Sequence, residues 1–152
     1  MVYQHFVNRD ALLLALVEIG HERLRLRMAE AVRDVTDSDL RLIEAARCYV
    51  AFAAGSPHLY RLMNDTFVDA EERFRAATPV IELVVGLVAT WAANQGIAVR
   101  DPLQTCELAR GMLHGVAGLG QLGPVGSPRA VQLAEQGMQA LTLVWRTRPD
   151  LA

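Results

Sequence analysis

Residues 3–16, Tyr-Gln-His-Phe-Val-Asn-Arg-Asp-Ala-Leu-Leu-Leu-Ala-Leu, place an aromatic and basic segment directly before a helix-forming run. Asn8 is a residue type that caps helices, because its side-chain oxygen accepts a hydrogen bond from a free backbone N–H. Residues of one apolar face then recur every three or four positions: Leu13, Val17, Gly20, Leu24, Met28, Ala31 and Val35. This spacing predicts an amphipathic helix from Arg9 to about Val35, with Gly20 as a point where it could bend.

The rest of the chain also predicts helices and no strand. The second helix is apolar on nearly all sides, which is typical of a helix in the middle of a bundle. Pro79 either kinks the fourth helix or begins a second half capped by Thr78, and Ser127 is the expected cap of the last helix. The predicted helices after the first cover residues 38–54, 57–63, a segment ending at Gln95, 102–122 and 128–147. We therefore predict an all-α bundle of about six helices.

Composition limits the classes of function. A chain of 152 residues, 52% of them hydrophobic, can bury one substantial core. Its net charge of −2 argues against DNA binding by this chain alone, since DNA-binding domains usually carry excess positive charge. Cys48 and Cys106 lie in apolar helical patterns, which predicts free thiols in a reducing cytoplasm. The N-terminus lacks a signal-peptide pattern, and the apolar run 83–93 is too short for a membrane span.

The opening segment resembles the passage from the DNA-recognition helix to the regulatory domain in TetR-family transcriptional regulators. In that family a tyrosine, a histidine and a phenylalanine, here Tyr3, His5 and Phe6, close the recognition helix. The tyrosine, the histidine and the following basic residue, here Arg9, approach DNA phosphates. In this chain these residues either touch phosphate or belong to a frayed N-terminus. The resemblance implies that residues 1–8 are the remnant of a DNA-binding domain and that residues 9–152 sense a ligand and dimerise. It also implies that most of the helix-turn-helix is missing from this chain, so that operator DNA is a partner only of a full-length form.

Two later segments resemble one subgroup of the same family, whose regulatory domain carries a Trp-x-x-His-Gly signature. Residues 49–63 are similar to its Tyr/Phe helix followed by Pro, Tyr and Met. Residues 112–119 keep the His114-Gly115 pair, whereas Gly111 stands where the subgroup has tryptophan. The resemblance covers almost the whole chain and implies a TetR-type C-terminal helical bundle that dimerises through its last two helices.

Bulky residues of the central helices are the candidates for a ligand pocket, although most could equally be plain core. Tyrosine hydroxyls and the Trp91 N–H would provide polar anchors in an otherwise apolar site. His114 either packs between helices with a hydrogen bond or lines the pocket. Arg47 and Arg110 either pair locally with Glu44 and Glu107 or neutralise an acidic effector. The pocket candidates are Tyr49, Phe52, Tyr60, Met63, Phe67, Trp91, Met112 and His114.

The last helix carries two apolar stripes. Either both are buried within one subunit, or one packs on the chain's own core and the other is left for a partner, which we favour. The other would remain exposed in a monomer, which is unfavourable by about 25 cal/mol per Å². Pairing the last two helices with their copies gives a four-helix bundle, as the family resemblance also implies. We assign the homodimer interface to Leu119, Val131, Ala134, Met138, Leu141 and Trp145; the second stripe is Leu133, Gly137, Ala140 and Val144.

No pattern indicates catalysis, a metal site or a cofactor. The pair Glu18 and His21 has the spacing used by di-iron bundles, but such sites need a second pair and further inward glutamates. We expect a non-enzymatic, cytoplasmic effector-binding and dimerisation domain of a TetR-type regulator, with a small apolar or amphipathic effector and no membrane partner. The alternatives are a small-molecule binding bundle without a DNA partner and an enzyme built on a helical bundle.

Overall fold

The computed structural model describes residues 8–123 and 125–152, and within them the chain forms six α-helices and no strand. The helices are α1 (Arg9–Val32), α2 (Ser38–Gly55), α3 (Pro57–Met63), α4 (Ala70–Gln95), α5 (Pro102–Gly120) and α6 (Gly126–Thr147). A short 3-10 turn, Pro149–Leu151, follows α6. The predicted all-α bundle of six helices is confirmed.

Polar side chains begin four of these helices as the sequence pattern predicts or allows. The Asn8 side chain accepts a hydrogen bond from the Ala11 N–H at 2.9 Å, and Asp37, Asp69 and Asp101 cap α2, α4 and α5 in the same manner. The start of α6 differs from the prediction. Its first residue is Gly126, at φ 67°, so Ser127 lies inside the helix and is not its cap.

Helix α2 lies at the centre of the bundle and contacts all five other helices. Its buried residues come from both of its apolar faces, among them Leu42, Ala46, Tyr49 and Phe52. Helices α1 and α4 pack on each other and on α2, whereas α5 and α6 pair and close the opposite side. A helix that is apolar nearly all round is therefore buried on nearly all sides.

Helix α4 continues through Pro79 without interruption, so Thr78 does not cap a second helix. The Thr78 hydroxyl donates instead to the Phe74 carbonyl at 3.0 Å. Proline has no N–H to donate to the carbonyl four residues earlier, so the helix lacks one backbone hydrogen bond at this point. By length and composition α4 could cross a membrane, but in the fold it contacts α1, α2 and α5.

Gly20 allows α1 and α3 to approach closely. A Cβ built at this position would lie 2.5 Å from the Met63 sulfur and 3.2 Å from Leu59 Cδ1. Gly20 remains helical between Val17 and Leu24, and its function in the packing is to make room for Met63.

A tryptophan cluster closes one end of the core. It consists of Trp91, Trp145, Asp39, Gln95 and Arg146. The two indole rings meet edge to face at 5.8 Å, and Trp91 Nε1 donates to the Asp39 carboxylate at 2.8 Å. Arg146 pairs with the same carboxylate and donates to Gln95 at 3.1 Å. The buried indole N–H is thus satisfied, and α2, α4 and α6 are joined at this end.

Candidate functional site

A cavity of about 380 Å³ lies among α1, α2, α4 and α5. Small side chains create it: Ala45 and Ala46 on α2, Ala77 on α4 and Ala109 on α5 leave volume between helices that larger residues would fill. The remaining apolar wall consists mainly of Leu24, Met28, Leu42, Met63, Phe74, Val80, Ile81, Val84, Leu87, Val88, Leu103, Leu113 and Met138.

Two tyrosines in the wall form a hydrogen-bonded chain that leaves the cavity. The Tyr49 and Tyr60 hydroxyls are 3.0 Å apart, and Tyr60 also bonds to Nδ1 of His114. Burial, followed by the neighbouring Tyr49, raises the pKa of Tyr60 far above its ordinary value, so the phenol remains protonated. Because His114 is exposed on α5, the chain joins the cavity wall to the surface of that helix.

A polar end of the cavity is formed by His21, Asn64, Arg73, Glu107 and Arg110. Arg110 Nη2 donates to the Asn64 side-chain oxygen at 3.2 Å, and Arg73 Nη1 donates to the Asp65 carbonyl at 2.8 Å. Burial, with a smaller contribution from the charge of Arg110, lowers the pKa of His21 to about 4. At neutral pH the imidazole is therefore uncharged near the permanent cation of Arg110.

Cys106 is the cysteine of the cavity wall. Burial raises the pKa of its thiol to about 11, so the thiolate needed for nucleophilic attack is scarce at neutral pH. Both cysteines are free. Among the residues that the structure describes, no group of histidine, cysteine or carboxylate side chains could hold a metal ion.

The structure brings some of the predicted pocket residues together and separates others. Tyr49, Tyr60 and Met63 line the cavity, and His114 reaches it only through Tyr60. Phe52 and Trp91 are buried in the core outside the lining.

The other two predicted pocket residues, Phe67 and Met112, also lie outside the lining. Phe67 follows α3 and is 61% exposed. Met112 is half-buried and packs over Gly137 of α6.

The predicted phosphate contacts are described only in part. Tyr3 and His5 lie outside the described residues. Arg9 is exposed in the first turn of α1, and its guanidinium lies 5.9 Å from the centre of the Phe67 ring.

The α6 stripe that we assigned to the dimer interface faces mainly inward, whereas in the second stripe Ala140 and Val144 are exposed and Leu133 and Gly137 are half-buried. Ala134, Met138 and Trp145 are 0%, 3% and 1% exposed, because they pack on the core of their own subunit. Val131 and Leu141 are half-buried against the same core. Ala134, Met138 and Trp145 are therefore not a surface available to a second copy, whereas Leu119 on α5 is exposed.

An apolar α5–α6 face remains exposed instead. Leucine side chains alternate on it with glycines, and a Cβ added at Gly111, Gly115 or Gly118 would meet no heavy atom of the described residues within 4 Å. Such a surface offers both apolar area and room for a closely approaching helix. We define this face by Leu108, Gly111, Gly115, Gly118, Leu119, Leu122, Ala140, Leu143 and Val144.

Sequence reasoning missed His21 and Arg73 as cavity residues. His21 follows Gly20 and stands beside the buried stripe of Val17 and Leu24, which was an available sign that it faces the interior. Arg110 was considered with two alternatives, and it bonds to Asn64 of the cavity rim instead of Glu107. Arg47, by contrast, pairs locally with Glu44 at 3.4 Å and with Glu135 at 3.8 Å.

Comparison with known proteins identifies relatives of this fold. Residues 42–141 match the profile of the family described as the tetracyclin repressor-like C-terminal domain. A solved structure described as a protein with unknown function from Rhodococcus sp. RHA1 has a TM-score of 0.74 and 27% identity, covering 90% of this chain and 74% of that one. No curated protein matches the sequence.

Proposed function

Because the chain belongs to the tetracyclin repressor-like C-terminal domain family, we propose that it is the effector-binding and dimerisation domain of a TetR-type transcriptional regulator. The observation that carries the proposal is the cavity of about 380 Å³. Sites for small molecules usually enclose about 300–1,000 Å³, with apolar walls and a few placed polar groups. A cytoplasmic location and a non-catalytic role accompany this proposal.

In this proposal residues 9–152 sense the effector and dimerise, and residues 1–8 are the end of the DNA-binding domain. Operator DNA is a partner of a full-length form that carries the helix-turn-helix. A small apolar or amphipathic effector binds among α1, α2, α4 and α5 and favours one of two packings of the bundle. Helix α2 supports such coupling because it contacts both the cavity helices and α6.

Homodimerisation is proposed to occur through the apolar α5–α6 face. Leu143 is 59% exposed in a single subunit, and Leu108, Leu119 and Val144 are exposed beside it. Covering this area in a four-helix bundle stabilises the pair by about 25 cal/mol per Å². The tyrosine chain supports a link between the two functions, since it runs from the cavity wall to His114 on the exposed side of α5.

The cavity is tested with Nile red, an uncharged dye whose emission rises in apolar surroundings. Ala77→Trp places an indole in the cavity and should lower the affinity for the dye at least tenfold. Ala76→Trp is the matched control, because Ala76 is equally half-buried but does not line the cavity. Equal dye binding by both folded variants would contradict a binding site at this position.

The dimer is tested by sedimentation of the chain at micromolar concentration. Leu143→Glu places an unpaired charge in the α5–α6 face and should raise the dissociation constant of the dimer about a hundredfold or more. Leu26→Glu makes the same change at an exposed leucine of α1 and should leave the dimer intact. If the unaltered chain sedimented as a monomer at micromolar concentration, the proposed homodimer would be refuted.

A further inference from the structure

The cavity combines an apolar wall with a charged end. His21 of α1, Asn64 after α3, Arg73 of α4 and Arg110 of α5 meet at that end. The apolar side chains of α2 and of the middle of α4 form the other side of the same volume. A ligand that satisfies both regions is amphipathic, with its polar group at one end.

The two arginines at the polar end have no carboxylate partner within the described residues. Arg73 donates to a backbone carbonyl and Arg110 to the side chain of Asn64, which are both uncharged. Glu107 is the single acidic side chain of the lining, and it pairs with neither arginine. Two cations and one anion leave the site with net positive charge.

Hydrogen-bonding capacity at the same end is also unused. His21 Nδ1 and Arg73 Nε are buried and have no hydrogen-bond partner in the described part of the chain. Leaving such groups unpaired is unfavourable, and more so for charged groups. A carboxylate accepts several hydrogen bonds at once and forms its strongest ones with guanidinium groups.

We propose that the cavity binds an amphipathic carboxylate, whose apolar body lies along α2 and α4 and whose head group is bound by Arg110, with Arg73 and His21 as further donors. The inference rests on the proposed effector site and specifies its ligand class. It predicts that the site discriminates by charge among molecules of the same length. The electrostatic contribution comes from permanent guanidinium charges, since arginine stays protonated in proteins.

The probes are octanoate, 1-octanol and octylamine, titrated into the full chain by calorimetry at neutral pH. We expect octanoate to bind at least tenfold more tightly than 1-octanol and octylamine to bind more weakly than either. Arg110→Gln should lower the affinity for octanoate about tenfold and leave that for 1-octanol unchanged. Arg100→Gln is the control, because it removes the same charge from an exposed loop residue outside the cavity.

A second readout does not depend on the arginine variants. Bound octanoate should raise the pKa of His21, measured by NMR of the imidazole, because a nearby anion favours the charged ring. The ligand class would be overturned if 1-octanol bound as tightly as octanoate or more tightly. It would also be overturned if neither Arg110→Gln nor Arg73→Gln weakened the binding of octanoate. Neither result would contradict the effector site itself. Failure of all three probes to bind would count against the ligand class; Nile red binding that Ala77→Trp weakens would still support the cavity itself.

Discussion

The tryptophan cluster and the cavity share helices α2 and α4, yet the cluster is filled with side chains and the cavity is open. Toward its C-terminus α4 presents Trp91 and Ala92, which are buried against α2 and its neighbours and do not line the cavity. Toward its N-terminus it presents Ala77 and half-buried aliphatic residues around empty volume. The comparison teaches that residue size along one helix separates the part that stabilises the fold from the part that can accept a ligand.

Truncating a side chain of the tryptophan cluster should have the largest effect on stability. Trp91→Ala deletes a side chain that is 0% exposed and leaves the Asp39 carboxylate without its indole donor. We expect a loss of about 3–5 kcal/mol in the free energy of unfolding, measured by urea denaturation followed by circular dichroism. Phe67→Ala, at an exposed aromatic residue, is the control and should change stability by about 0.5 kcal/mol or less. Similar losses for both variants would remove the distinction between the two regions.

The cavity end should respond to pH through His21. Its pKa in the folded chain is about 4, against an ordinary value of 6.5, so folding favours the neutral ring. This contribution to stability is present above pH 6.5 and is lost as the pH falls toward 4, by an amount on the order of 2 kcal/mol. The measurement is the pH dependence of unfolding for the unaltered chain and for His21→Gln, which should lose less stability on acidification. His58→Gln, at an exposed histidine, should behave like the unaltered chain.

The tyrosine chain provides a smaller test at the boundary between cavity and surface. Tyr60→Phe removes the hydroxyl that bonds to both Tyr49 and His114 and leaves the buried Tyr49 hydroxyl without this partner. We expect a loss of about 1–1.5 kcal/mol in thermal or urea denaturation. Tyr49→Phe removes only one of the two bonds and should destabilise less. If Tyr49→Phe proved the more harmful, the bond to His114 would contribute nothing to stability.

Glycine variants should give the smallest effects on stability. The sign of the effect should distinguish a helix surface with free space from a close contact between helices. Gly86→Ala in α4 meets no heavy atom within 4 Å and should stabilise by up to about 1 kcal/mol, because alanine favours helix. Gly20→Ala gains the same propensity but must displace Met63, so its net effect on unfolding should be near zero or unfavourable. Since Met63 lines the cavity, Gly20→Ala should also weaken Nile red binding. Equal stabilisation by both variants would show that the Met63 side chain moves away from the added methyl group without a loss of stability.

Local signals predicted the helices well. The start of α3 at Pro57 follows from Gly55, Ser56 and Pro57, which stop one helix and start the next within three positions. The start of α6 was placed too late, because Gly126 adopts a left-handed conformation before the Ser-Pro pair. The end of α1 was placed too late as well, since Val35 continues the apolar spacing beyond the last helical turn.

The candidate site was harder to predict because its members come from separate elements. No local sequence pattern around Asn64, Arg73 or Arg110 indicates that these residues meet. The packing of α4 and α5 around α2 brings them together. The two stripes of α6 pose the same difficulty. Both are apolar, and the stripe with Met138 and Trp145 turns inward, where Trp145 packs against the Trp91 ring of a distant helix.

The tryptophan cluster also makes the chain a reporter of its own conformation. Trp91 and Trp145 are the two tryptophans of the sequence, and neither lines the cavity. An effector therefore cannot quench their emission by touching them. Because Tyr49 and Tyr60 do line the cavity, the tryptophans must be excited selectively. A change in tryptophan emission on adding a ligand then signals movement where α4 meets α6, and no chemical label is needed to detect it.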